Sequence, residues 1–308
     1  MLSRGRLGSS VLAERNIVGG AEADIAARDL RPIWLCADDY GISRSVSKAI
    51  RDLVMRGRLN ATTVMVVAPS FDRAEAASLS MLNAGSRRVA IGLHVTLTGP
   101  FRPLSVGFRP TSSDAFPTLE QMFVRGASRL LSRDRLAIEI ATQFKTFVTL
   151  FGRAPDFIDG HQHVHLFPQV REALLRVVRE VAPQTWVRQC GRAIRPERPL
   201  SDKKGIVLDM LSRKFRARAA AHGIRTNPAF AGTYDFLAQP EPDFSQLFSG
   251  FLERLPAHGV VMCHPGMVDA ELERLDPLTD LREREYSFLS GDAFPELLRA
   301  HGVALAAA

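Results

Sequence analysis

The stretch PIWLCADDYGIS, residues 32–43, runs from an apolar block into two adjacent carboxylates, then a glycine and a serine. The block reads as a β-strand, and the following SRSVSKAIRDLVMRGR places Val46, Ile50, Leu53 and Val54 on one face of a helix. A strand, a tight turn and an amphipathic helix form the first half of a βαβ unit. Asp38 and Asp39 stand where that strand ends, although aspartate is a poor strand former and like charges repel. Aspartate also serves as a turn or cap residue, so the pair acquires meaning only from what gathers beside it.

The strand–helix alternation repeats along the chain. TTVMVVA is a second strand, and SFDRAEAASLSMLNAG reads as a helix capped by Ser70 and stopped by Gly85. RVAIGLHV is a third strand. Residues 99–117 are rich in Gly, Pro and Ser and too long for an ordinary connection, which suggests a lid or substrate-binding loop. Then follow a helix near 133–151, strand PDFID, helix PQVREALLRVVREV, strand TWVRQC, a helix near 202–222, a helix around 243–255, strand GVVMCH and a closing helix–strand pair, DAFPELLRAHGVALAA. Strands separated by helices of this length imply an α/β parallel sheet, and seven or eight such units favour closure into a (β/α) barrel. No GxGxxG follows the first strand and no GxxxxGK[ST] occurs, so nucleotide-binding α/β folds are disfavoured.

Composition is that of an ordinary folded protein: 308 residues, 46% hydrophobic and 24% charged. Residues 1–30 read as a flexible N-terminal extension without the apolar core of a signal peptide, and 31–308 as a single domain. The three cysteines, Cys36, Cys190 and Cys263, fit neither a disulfide framework nor a CxxC metal pair. Reduced thiols and the lack of a membrane-length apolar run point to the cytoplasm. Eleven Lys and Arg against three Asp and Glu fall between residues 186 and 225, so the net charge of +7 is a local feature. The segment includes a basic amphipathic helix, LDMLSRKFRARAAAHG. Without interleaved aromatics it argues against nucleic acid; a solvated face, an anionic substrate and peripheral membrane contact are the readings it leaves.

The polar residues that break the pattern all stand at carboxyl ends of strands: Asp38 and Asp39, His94 in GLHVTLTG, Asp159 with the histidines of DGHQHVH, and His264 in VVMCHPGM. In parallel α/β folds that rim is where ligands bind. In an extended segment His161, His163 and His165 would share one side and could crowd a metal. Two imidazoles and a carboxylate leave open positions on a divalent ion, as in a hydrolytic site, and a neighbouring carboxylate can take the proton of water. The aspartate pair offers both functions, one residue to the ion and one to the water. His264 is a candidate general acid for a leaving amine.

In this order, ADDYGIS, IGLHVTLTG, DGHQHVHLFP and MCHPG resemble the YdjC-like carbohydrate deacetylases, the chitooligosaccharide (diacetylchitobiose) deacetylase family. The likeness spans roughly residues 31–305. It implies a distorted (β/α) barrel related to the polysaccharide deacetylases and a hydrolase that removes an N-acetyl group from an amino sugar or oligosaccharide, releasing acetate; the basic 186–225 segment adds a lipid-linked substrate as an option. It also implies one divalent ion (Mg, Zn, Co or Mn) on Asp39, His94 and His161, with Asp38 as catalytic base and His264 as acid. Asp159, His163 and His165 would then support the ligands or touch substrate. Gly160 departs from the serine the family often carries there. The alternatives are a metal-dependent phosphoesterase or amidohydrolase, or a non-catalytic carbohydrate-binding protein on the same fold. Self-association stays open.

Overall fold

The computed structural model describes residues 30–86, 88–108, 114–193, 203–235 and 242–308. The expected extension lies outside the described residues up to position 29. Among the described residues eight parallel strands form one sheet: β1 Arg31–Tyr40, β2 Ala61–Val64, β3 Ala90–Val95, β4 Phe157–Gly160, β5 Trp186–Val187, β6 Phe230–Ala231, β7 Val260–Cys263 and β8 Val303–Leu305. Their order is β5-β4-β3-β2-β1-β7-β6. β8 pairs with the start of β1, and β7 takes over that side from Trp34 onward. The connecting and flanking helices are α1 Arg44–Met55, α2 Arg73–Ser80, α3 Leu119–Ala127, α4 Arg133–Phe151, α5 Val170–Val181, α6 Lys203–Ala221, α7 Phe244–Glu253, α8 Ala270–Leu275, α9 Asp280–Ser290 and α10 Ala293–Ala300. The architecture is thus the expected distorted α/β barrel.

Helix α1 follows the sequence expectation closely. Ser43 caps it by accepting the Val46 N–H, and its buried face is Val46, Ala49, Ile50, Leu53 and Val54. Helix α2 starts later than expected and is capped by Asp72, whose carboxylate accepts the N–H groups of Ala74 and Glu75. The Ser70 hydroxyl instead donates to Glu271. The helix then tightens into a 3₁₀ turn, Met81–Asn83, before Gly85. Two glycines are required by geometry. Gly41 has φ +98, and a Cβ there would sit 2.9 Å from the Phe71 ring, so only glycine lets the chain leave β1 this way. Gly232 has φ +108, and a Cβ there would lie 2.1 Å from the Met262 carbonyl oxygen.

The two ends of the sheet, β5 and β6, meet through a seam rather than a ladder. Val187 and Thr226 form one parallel bridge. Beyond it the Asn227 side chain behaves as a strand: Oδ1 accepts from the Gln189 N–H at 2.8 Å, and Nδ2 donates to the carbonyls of Gln189 at 3.0 Å and Ala229 at 2.8 Å. The Phe230 N–H then donates to the Gly191 carbonyl at 3.1 Å. One amide therefore satisfies backbone groups that an open barrel would leave orphaned at its rim.

Gly232→Ala should lower stability to chemical denaturation by about 2–4 kcal/mol, since it combines backbone overlap with a left-handed φ. Gly302→Ala shares the positive φ but meets nothing within 4 Å, and should cost about 1 kcal/mol. Equal losses in the two variants would refute the steric argument.

Candidate active site

Strand β1 runs on through both aspartates, and its register against β2 shifts between Ala37 and Tyr40. The shift is a β-bulge, with Asp39 at φ 68. In a regular strand residues 38 and 39 would face opposite sides of the sheet. The left-handed residue, which aspartate tolerates better than most, turns both carboxylates into the mouth of the barrel, where both are buried.

Each aspartate is gripped by its own arginine. Asp39 Oδ2 accepts from Arg282 Nη2 at 2.7 Å, while Oδ1 lies 3.0 Å from His161 Nδ1 and 3.3 Å from His94 Nε2. Asp38 is held bidentately by Arg188, with Nη1 to Oδ1 at 2.8 Å and Nη2 to Oδ2 at 2.6 Å. Its Oδ1 also accepts from the Thr63 hydroxyl at 3.1 Å and the Cys36 thiol at 3.5 Å. Among the described residues Oδ2 carries only the Arg188 bond and so keeps a lone pair to receive a proton. Burial alone would raise both carboxyl pKa values. The opposing cations win, chiefly Arg188 for Asp38, and His161 with Arg282 for Asp39, and hold both well below the usual range.

Strand register explains His94. Its partner across the β3–β4 ladder is Asp159, so the two side chains stand side by side. His94 Nδ1 lies 2.5 Å from Asp159 Oδ1, which turns Nε2 toward Asp39. One ligand-type atom from each of Asp39, His94 and His161 lies within 4.8 Å of the others. A second set, Asp38, His94 and Asp159, is equally compact. There, however, a guanidinium fills the place of a cation, with Arg188 Nη2 also 2.7 Å from Asp159 Oδ2.

The first set fits a divalent ion on two further counts. Among the described residues four carboxyl groups, Asp38, Asp39, Asp159 and Asp276, share two guanidiniums, Arg188 and Arg282, so the cluster draws further positive charge. His94 reports that demand: burial pulls its pKa down, yet Asp159 and then Asp39 push it up to about 10.

His163 and His165 do not join the ligands. Residues His161–Leu166 form a 3₁₀ segment in which Gln162 and His163 adopt left-handed backbone, at φ 52 and 57. The alternation expected of an extended strand is therefore broken, and each ring takes its own direction. His165 Nε2 lies 2.9 Å from the Arg188 carbonyl, which can only accept, so the ring carries its proton there and supports the backbone of Arg188. Burial lowers its pKa to about 4 and keeps it neutral. His163 Nδ1 lies 3.4 Å from Cys190 Sγ, and burial followed by Arg188 holds this ring well below the usual range. Gly160 matters sterically here, because a Cβ would sit 3.1 Å from His165.

His264 leaves β7 at the same rim. Its backbone N–H donates to the buried Glu285 carboxylate on α9 at 2.5 Å. Burial lowers the His264 pKa, Asp39 opposes this, and Arg282 sides with burial, leaving the ring below its ordinary value. Burial raises Glu285 to about 7 against the donors His264 N–H and Tyr234 hydroxyl. The long loop supplies a wall: Phe101 is buried with its ring edge-on to His161 at 5.9 Å. Glu139 on α4 anchors the loop by accepting the N–H groups of Leu104 at 3.1 Å and Ser105 at 2.8 Å.

Sequence reasoning brought Asp38, Asp39, His94, Asp159, His161 and His264 together at one rim, and the structure places them there. It missed Arg188, Arg282, Thr63 and Glu285. Arg188 was counted with a surface charge run, although its place inside the strand-like TWVRQC was a signal of burial. Arg282 and Glu285 share the inner face of α9 with Leu289, where spacing leads one to expect apolar residues.

Arg188→Met should cost about 3–5 kcal/mol of stability, because it strands two buried carboxylates. Adding Asp38→Asn should recover part of that loss, with a coupling of at least about 1 kcal/mol in a double-mutant cycle read by urea unfolding. Additive losses would contradict the pairing.

A family model described as YdjC-like protein matches residues 32–300. The chitooligosaccharide deacetylase of Yersinia pestis (strain Pestoides F) is 30% identical over 241 residues, which is 77% of this chain and 82% of that protein. The chitooligosaccharide deacetylase of Yersinia pseudotuberculosis serotype O:3 (strain YPIII) gives the same figures, 30% over 241 residues. A crystal structure from Enterococcus faecalis V583, named for cellobiose-phosphate cleavage, superposes with a TM-score of 0.68 at 22% identity, covering 90% of this chain and 97% of that one. That likeness confirms the fold.

Proposed function

Since the chain belongs to the YdjC-like family, with the family model matching residues 32–300, we propose that it is a carbohydrate N-deacetylase that hydrolyses the acetamide of an N-acetylated amino sugar or oligosaccharide to acetate and free amine. The activity resides in a single domain over residues 31–308. The observation that carries this reading is the divided aspartate pair: one carboxylate faces two imidazoles, and the other is held ionised with a lone pair to spare. A carbohydrate-binding module has no use for the second.

Asp39, His94 and His161 would hold the divalent ion. When bound, such an ion polarises the acetyl carbonyl and lowers the pKa of water. Asp38 Oδ2 takes the proton of the attacking water. Arg188 keeps Asp38 ionised and fixes the direction from which the proton comes. Asp159 keeps the His94 ring in one tautomer and orientation. The departing nitrogen takes a proton from the His264 ring. That ring is neutral at rest, so it takes up a proton, equivalent to the one Asp38 removes from the water, as negative charge builds on the tetrahedral adduct beside it, and hands it on to the nitrogen. The hydroxyl of one water is thereby added to the acetyl carbon and its proton reaches the nitrogen, with no redox change.

Asp38→Asn should lower acetate release by about 10²–10⁴-fold while leaving metal content unchanged. His161→Ala and Asp39→Ala should lose bound metal as well as turnover. The assay is acetate release from a panel running from N-acetylglucosamine and diacetylchitobiose to lipid-linked N-acetyl sugars, with metal analysis of each variant after purification without chelator. An Asp38→Asn enzyme as active as wild type would sink the assignment of the base. Removing the ion with chelator should abolish turnover, and restoring Mg, Zn, Co or Mn one at a time identifies the metal that supports it.

A further inference from the structure

The basic stretch between residues 186 and 225 divides when it is folded. Arg188 is buried in the active site, and Arg192 is paired with Asp209 at 2.7 Å. What faces outward is helix α6. Its inner side is a wall of the site: Ser212 bonds the Cys190 N–H at 2.9 Å, and Phe215 lies edge-on to His165 at 5.4 Å. Its outer side carries Ile206, Val207 and Met210 in the first half, exposed by 38%, 38% and 47%, and Arg213, Lys214, Arg216 and Arg218 in the second. At 100° per residue Ile206, Met210, Arg213, Lys214, Ala217 and Ala221 fall within one third of the helix circumference. No acid of the helix lies in that sector, and Arg218 sets its charge against another cation, Arg171.

Three large exposed apolar side chains thus precede four cations along the outer side of one helix. A second copy of this chain is a poor cover, because a two-fold contact would set the cations against themselves. Nucleic acid is a poor cover too, since there is no aromatic side chain on this face for stacking. An anionic bilayer satisfies both halves: apolar side chains enter the headgroup boundary, and cations pair with lipid phosphates around them. We propose that the outer face of α6 docks the protein on an anionic phospholipid membrane, lying in the plane of the interface. No helix among the described residues is long and apolar enough to cross a membrane, so contact is peripheral. Docking there places the active site one helix thickness from the lipid surface. The inference goes beyond the deacetylase reading and stands or falls independently of it.

The test is flotation of the full-length protein with unilamellar vesicles of phosphatidylcholine alone or mixed with phosphatidylglycerol. Wild type should float with the phosphatidylglycerol vesicles at low ionic strength, remain behind with pure phosphatidylcholine, and be released by salt. Arg213→Glu/Lys214→Glu and, separately, Ile206→Ser/Met210→Ser should each weaken binding by about tenfold or more, with unfolding midpoints unchanged because all four side chains are exposed. Failure of wild type to bind phosphatidylglycerol vesicles overturns the proposal. So does equal binding by the variants, or tighter binding to duplex DNA than to the vesicles.

Discussion

A guanidinium with no exposure to solvent lies between the Asp38 and Asp159 carboxylates, and the chemistry at the barrel mouth depends on it. Three carboxyl groups buried within a few ångströms would repel one another and protonate if left alone. Arg188 makes two of them tolerable and also gives them different tasks. Asp159 turns to His94, whereas Asp38 is left ionised and oriented. Arg282 performs the same service for Asp39, binding one oxygen and leaving the other for the imidazoles. Two arginines thus assign four carboxylate oxygens, which neither sheet register nor hydrophobic packing could do.

The aspartate pair shows why adjacency in sequence can become cooperation in space. A regular strand would send one of the two into the helix layer, where it would have to be neutralised or expelled. The bulge at Asp39 spends local backbone freedom at a residue type that accepts left-handed φ, and brings the second carboxylate back to the rim. Gly41 then restores the chain direction, and Ser43 starts the helix. Within six residues the chain ends a strand, presents two carboxylates to one rim, and begins the next element.

Much of this was legible beforehand, because strand–helix alternation and the placement of acids and histidines at strand ends are local, periodic signals. The barrel, its parallel order and the six residues at its mouth follow from them. Two classes of feature were not legible. The first is the arginine partners: a charged residue on the inner face of α9, or inside β5's extension, contradicts the apolar pattern, and only tertiary pairing reveals its purpose. The second is conformation within a motif: HQHVH could be a strand or a turn, and the left-handed residues at Gln162 and His163 decided it. The identity of the helix α2 cap was missed for a related reason, since Ser70 and Asp72 are both acceptable caps and Glu271, 201 residues away, claimed one of them.

The seam between β5 and β6 has a chemical consequence of its own. Asn227 closes the barrel by presenting an amide in which oxygen accepts and nitrogen donates; a carboxylate in its place would face two carbonyl oxygens with no hydrogen to offer. Asparagine in proteins ages to aspartate when the next residue's backbone nitrogen attacks the side-chain carbonyl. Here the next residue is Pro228, whose nitrogen carries no hydrogen and cannot close that ring. The residue whose slow hydrolysis would unzip the barrel rim, and with it the strand end that delivers Arg188, is thereby shielded by its neighbour from the commonest route of chemical ageing.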